Sequence, residues 1–160
     1  MKEEIMFKNN YYEMHRNEKG LFVKMITSND VYLPDIHVEE SETNVKFHTK
    51  GEIEILKDFE NSGKLTAENV QKINKGYKIA QKTIDYFERR IFNFPKRTRY
   101  YVKSTENFND SIVKENYYYD GEYTKEEVIC NLSEQAALKI CKILSSSENR
   151  ISFNSFEEEY

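Results

Sequence analysis

The sequence predicts an α+β fold in which antiparallel β-hairpins pack against two main α-helices. Three observations carry that prediction. Runs rich in β-branched and aromatic residues are separated by short polar turns in the first third of the chain. An apolar seam at helical spacing follows, and a second apolar stripe lies near the C-terminal end. Only five Gly and two Pro interrupt 160 residues, too few for a disordered or collagen-like chain.

The elements follow in order. In "YYEMHRNEKGLFVKMIT" two β-rich runs flank a turn containing Gly20, a hairpin signal. "NVKFHTKGEIEIL" alternates apolar and polar residues on both sides of Lys50 and Gly51, which predicts a second hairpin and makes 5–57 strand-rich. Pro34 keeps the intervening connection out of a central strand. Thr66 is placed to cap a helix, with Glu68 in the first turn where the helix dipole favours an acid. Val70, Ile73, Tyr77, Ala80, Ile84, Phe87 and Ile91 then recur at alternating spacings of three and four, predicting a helix over 66–93 that ends before Pro95. Gly76 interrupts this seam and leaves room for a bend or for the close approach of another backbone. "RTRYYVKS" and "SIVKENYYYD" read as a strand pair over 98–119, joined through "TENFND". Thr124 with Glu127 has the form of a capping box, and Ile129, Leu132, Ala136, Ile140 and Ile143 give an apolar stripe, predicting a second helix over 124–146. "RISFNSF" is expected to add a last strand within an acidic tail over 150–160. Length predicts a single domain with a real core.

Composition narrows the function classes. No apolar run approaches the roughly 18–20 residues of a membrane span, and the acidic opening lacks a secretory h-region, so a cytoplasmic protein is expected. Cys130 and Cys141 fall in one predicted helix, where they are too far apart to bridge and are expected to be small buried hydrophobes. Among the three histidines, only His37 sits in a metal-like alternation, with Asp35 and Glu39. Such alternation is more often an exposed polar strand or loop, and no metal or other cofactor is expected. No Gly-rich phosphate loop and no nucleophile–base signature occurs, which predicts a non-enzyme.

Charge is divided along the chain. The balance is −5 over 1–63, +8 over 64–103 and −7 over 104–160, within a net charge of −4. The basic stretch includes Lys75, Lys82 and Arg89, seven residues apart on one helical face, and continues through Lys96, Arg97 and Arg99 among Phe92, Phe94, Tyr100 and Tyr101. Cations for phosphates beside aromatic faces for bases make a nucleic-acid surface, and the same cations fit an acidic protein surface. The plain alternative is a solvated helix face. A helix-turn-helix over "LTAENVQKINKGYKIAQKTIDYFERR" is disfavoured because the apolar spacing runs unbroken through Gly76. Tyr117, Tyr118, Tyr119, Asp120, Glu122 and Tyr123, with Glu157, Glu158 and Glu159 of the tail, combine tyrosines with acids as protein-recognition surfaces do.

In these segments, "NYYYDGEY", "FEEEY" and "KRTRYY", the chain resembles in composition the small orphan inhibitors of phages and mobile elements of low-GC bacteria, including anti-CRISPR proteins. That resemblance implies docking on a nucleic-acid-handling enzyme, such as the Cas9 nuclease, to block substrate entry or the movement of a catalytic domain. The expected partner is therefore a protein, with nucleic acid and a homodimer mate as the other partners the sequence leaves open.

Overall fold

A computed structural model of the chain describes residues 3–26, 30–104 and 109–157, with side chains through Ser146. It is α+β, with antiparallel sheets and three helices. The chain gathers into two compact units, Met1–Ser41 with Val45–Ile91, and Glu42–Asn44 with Phe92–Glu159.

The first unit opens with β1 (Glu4–Lys8), β2 (Tyr12–Asn17) and β3 (Gly20–Met25), an antiparallel sheet in chain order. The expected hairpin around Gly20 is its β2–β3 pair, with Asn17 opposite Gly20. β4 (His37–Glu40) and β5 (Val45–His48) form a two-stranded ladder that pairs His37 with His48. Two helices follow, α1 (Glu52–Asn61) and α2 (Ala67–Ile91). Thr66 caps α2 as expected, its hydroxyl accepting from the Asn69 N–H at 3.1 Å.

The seam of α2 faces inward. Ile73, Ala80, Ile84, Phe87 and Ile91 are buried, and the Phe87 ring lies 5.3 Å from Phe7 and 6.1 Å from Phe47. Asn9 fixes the β1–β2 turn by accepting the N–H groups of Tyr11 and Tyr12, and donates to Thr83 on α2 at 2.7 Å. α2 runs unbroken through Gly76, so no helix-turn-helix forms. The glycine is needed for contact rather than for a bend. A Cβ there would stand 1.8 Å from the carbonyl oxygen of Tyr32, whose N–H bonds to the Lys72 carbonyl at 3.3 Å.

The second unit contains β6 (Pro95–Ser104), β7 (Asp110–Tyr118) and β8 (Tyr123–Leu132), an antiparallel sheet in chain order, with α3 (Glu134–Glu157) against β6 and β7. The expected strand pair over 98–119 is β6–β7, while residues 105–108 of its connection lie outside the described residues.

Five expectations are corrected. The strand over "EIEIL" is helix α1: Ile55 and Phe59, one helical turn apart, face the connection carrying Tyr32, and the Phe59 and Tyr32 rings lie 5.0 Å apart. The partner of "NVKFH" is instead "HVEE", across the turn at Ser41–Asn44. The helix expected from Thr124 begins only at Glu134. Residues 123–132 form β8, because the ladder to β7 outweighs the capping-box pattern, and Ser133 supplies the real cap to the Ala136 N–H at 3.2 Å. The strand expected in "RISFNSF" is the last part of α3. The cysteines consequently separate, Cys130 exposed on β8 and Cys141 half-buried on α3.

Candidate binding face of the second sheet

The β6–β7–β8 register decides which side chains meet. Tyr118, Tyr119, Asp120, Gly121 and Glu122 close the β7–β8 hairpin. The Gly121 N–H bonds to the Tyr118 carbonyl at 3.1 Å, and the Tyr118 N–H to the Glu122 carbonyl at 2.9 Å. Gly121 takes φ +84°, the left-handed value that a type I turn with a following bulge requires. Asp120 stabilises the turn by accepting the Glu122 N–H at 3.0 Å.

From this turn two cross-strand rows follow. Arg97, Tyr117 and Tyr123 stand side by side, and so do Arg99, Glu115 and Lys125. Alternation along the strands puts both rows on one face with Tyr101, Lys103, Val113 and Glu127. The cations lie over the tyrosines: Arg97 is 4.4 Å from the Tyr117 ring centroid, Arg99 5.0 Å from Tyr101 and Lys125 5.6 Å from Tyr123. Tyr117 and Tyr123 pack with ring centroids 6.1 Å apart. Such stacking holds each cation near a ring face by the ring quadrupole, with less loss of side-chain freedom still to come on binding.

Glu115 forms the floor. Its side chain is 2% exposed, with Arg99 Nη2 3.3 Å from one carboxylate oxygen and Lys125 Nζ 3.4 Å from the other, while both cations remain more than half exposed. The Arg99 contact is Coulombic without hydrogen-bond geometry, since that oxygen has no hydrogen-bond partner. One buried carboxylate therefore holds two exposed cations in place. Lys103 reaches Glu127 at 3.6 Å. Four cations against two acids leave this face positive.

The expected site residues are distributed as follows. Arg97, Arg99, Tyr117 and Tyr123 converge on the face, which joins part of the basic stretch to part of the tyrosine cluster. Tyr118 points to the opposite face, half-buried. Tyr119 is 2% exposed, with Lys96 Nζ 5.8 Å from its ring, so it is a packing residue rather than surface. Asp120 belongs to the turn, and Glu122 is exposed beside it. Lys75, Lys82 and Arg89 are exposed along α2 in the first unit, with Arg89 Nε also donating to the Asp85 carbonyl at 3.2 Å. Glu157 ends α3 with its side chain outside the described atoms, and Glu158 and Glu159 lie outside the described residues. Sequence reasoning missed Glu115, Lys103, Lys125 and Glu127, and named Tyr101 only as an aromatic of the basic stretch. The Asp120-Gly121 pair signals a hairpin, but it fits either a two-residue turn or the three-residue loop with a bulge found here, so the rows follow only from the observed pairing.

No group of three or more His, Cys, Asp or Glu side chains among the described residues is arranged to hold a metal ion. His48 instead contacts Glu39 at 2.9 Å. Among the described residues no helix is long and apolar enough to cross a membrane. Comparison with protein-family models, curated proteins and solved structures finds no match to this chain.

Proposed function

We propose that the protein is a non-enzymatic, cytoplasmic binding protein that inhibits a nucleic-acid-handling enzyme by docking the β6–β7–β8 face on it. The observation that supports this reading is the cation–tyrosine layer over Glu115. Arg and Tyr are the residues in which binding energy concentrates at protein interfaces. Here cation–ring contacts already set these side chains over the sheet, and the face carries cations that suit an acidic patch. The rings already carry cations on one side, which favours an acidic protein surface over bases seeking free aromatic faces.

The compositional resemblance to anti-CRISPR proteins makes guide-loaded Cas9 the first target to test. Adding the purified chain to a Cas9 cleavage reaction is expected to slow cleavage, and Arg97→Glu with Tyr117→Ala is expected to relieve the inhibition. Cleavage unaffected by a molar excess of the wild-type chain removes Cas9 as the target. Inhibition that survives the double substitution removes the face from the reading.

A second reading, direct binding of nucleic acid, is favoured by one observation: Lys75, Lys78 and Lys82 project from α2 as exposed cations. It predicts an affinity for short duplex or single-stranded DNA that falls steeply between about 50 and 200 mM salt, through counterion release.

A further inference from the structure

We infer that β8 pairs antiparallel with β8 of a second copy of this chain, making one six-stranded sheet across a two-fold axis at Glu126. The proposal stands whatever the face binds. β8 is one of the two edge strands of its sheet, and no described strand pairs with its outer side. Eight of its ten residues are exposed. A ten-residue edge of this kind presents a row of unmatched backbone groups to any strand that can match them.

The backbone fixes which groups point outward. The Tyr118–Glu122 hydrogen bond sets the alternation of the β7–β8 ladder. Counting along the pairs 117–123, 116–124, 115–125, 114–126 and 113–127, the N–H and C=O groups of Tyr123, Lys125 and Glu127 face away from β7. A strand added to this edge must supply matching groups at the same spacing.

Charge then selects the partner and the register. Pairing Lys125 with Glu127 of a second copy, and Glu127 with its Lys125, brings outward-facing backbone groups together twice, for four hydrogen bonds. It also sets two opposite charges across the junction on the same face. Shifting by two residues in either direction places Lys125 opposite Lys125 or Glu127 opposite Glu127, which like-charge repulsion disfavours. The chosen register has one unfavourable contact, Glu126 opposite Glu126 on the other face. That contact makes the proposal sharp, because removing it has a predictable sign.

Residue 126 would occupy a non-hydrogen-bonded pair on the axis, where Cα atoms stand about 4.5 Å apart, within disulfide range. The test uses the full chain in a Cys130→Ser background, since Cys130 is itself exposed. Glu126→Cys is expected to form a covalent dimer on mild oxidation, and Thr124→Cys is not. Sedimentation equilibrium of the wild type from micromolar to millimolar concentration is expected to show mass rising from 19.2 kDa toward twice that value. Glu126→Gln is expected to tighten the dimer about fivefold. Glu127→Pro, which removes an outward N–H and leaves the β7 ladder intact, is expected to abolish it without changing the circular dichroism. A wild type that stays monomeric at millimolar concentration overturns the proposal. So does a dimer that ignores both Glu126→Gln and Glu127→Pro, or cross-linking at 124 equal to that at 126.

Discussion

Glu4 faces Arg16 across the first sheet, and Glu115 faces Arg99 and Lys125 across the second. In all three pairs the acid is buried. Arg16 is buried with its partner and contacts Glu4 through Nε at 3.2 Å and Nη2 at 3.0 Å, whereas Arg99 and Lys125 remain more than half exposed. The same cross-strand chemistry thus serves two ends. Where both partners are covered, the pair belongs to the packing of the unit, and either charge left alone has nowhere to be solvated. Where only the acid is covered, it anchors cations that are still available to something else.

The largest expected effect tests the covered pair. Glu4→Gln takes the Glu4 charge away from the buried Arg16 guanidinium and is expected to cost about 3 kcal/mol, read as a fall in the urea midpoint. Next comes the phenol of Tyr12, which is buried and donates to the Pro34 carbonyl at 2.5 Å. Tyr12→Phe is expected to cost about 1–2 kcal/mol by leaving that carbonyl unmatched. Burial, reinforced by Asp35, holds the Tyr12 pKa above its ordinary value of 10.0. The unfolded chain releases this proton first as pH rises, so Tyr12 adds stability below about pH 10 that declines at higher pH. Wild-type stability should therefore drop above about pH 10, and Tyr12→Phe should lose this component of the drop; parallel pH profiles for the two would remove Tyr12 as its source.

Glu115→Gln comes third. Arg99 and Lys125 can turn to water, so only about 1 kcal/mol is expected, together with weaker partner binding as the cations lose their anchor. A cost equal to that of Glu4→Gln would break the distinction between the sheets. The smallest stability effect belongs to Arg97→Ala, expected within about 0.5 kcal/mol of wild type by thermal melt. Its reading on partner binding should nonetheless exceed that of any single α2 lysine.

Much of this architecture is legible from the residues. The α2 seam, its Thr66 cap and the Gly20 hairpin depend on local patterns, and each forms where the pattern lies. The errors arise where a local pattern competes with a partner distant in sequence. Ile53 and Ile55 alternate like a strand, yet Ile53 is 70% exposed and the turn is organised by Ile55 and Phe59. Thr124 and Glu127 have the spacing of a cap, but β7 offers them a ladder. The candidate face was half legible. Arg97, Arg99, Tyr117 and Tyr123 stood out by type, but that they share one surface follows only from the register, and Glu115 is an unremarkable acid until its two neighbours are known.

Gly76 has a consequence for the order in which the first unit assembles. A glycine in mid-helix weakens an isolated helix by about 1 kcal/mol relative to alanine, and here it sits where the Tyr32 backbone rests. A free peptide of residues 67–91 would open most readily at that turn, and the helix gains its full rigidity only once the 30–34 segment has closed over it. The slowest-exchanging amides around residue 76 would then time the arrival of a piece of chain more than forty residues upstream.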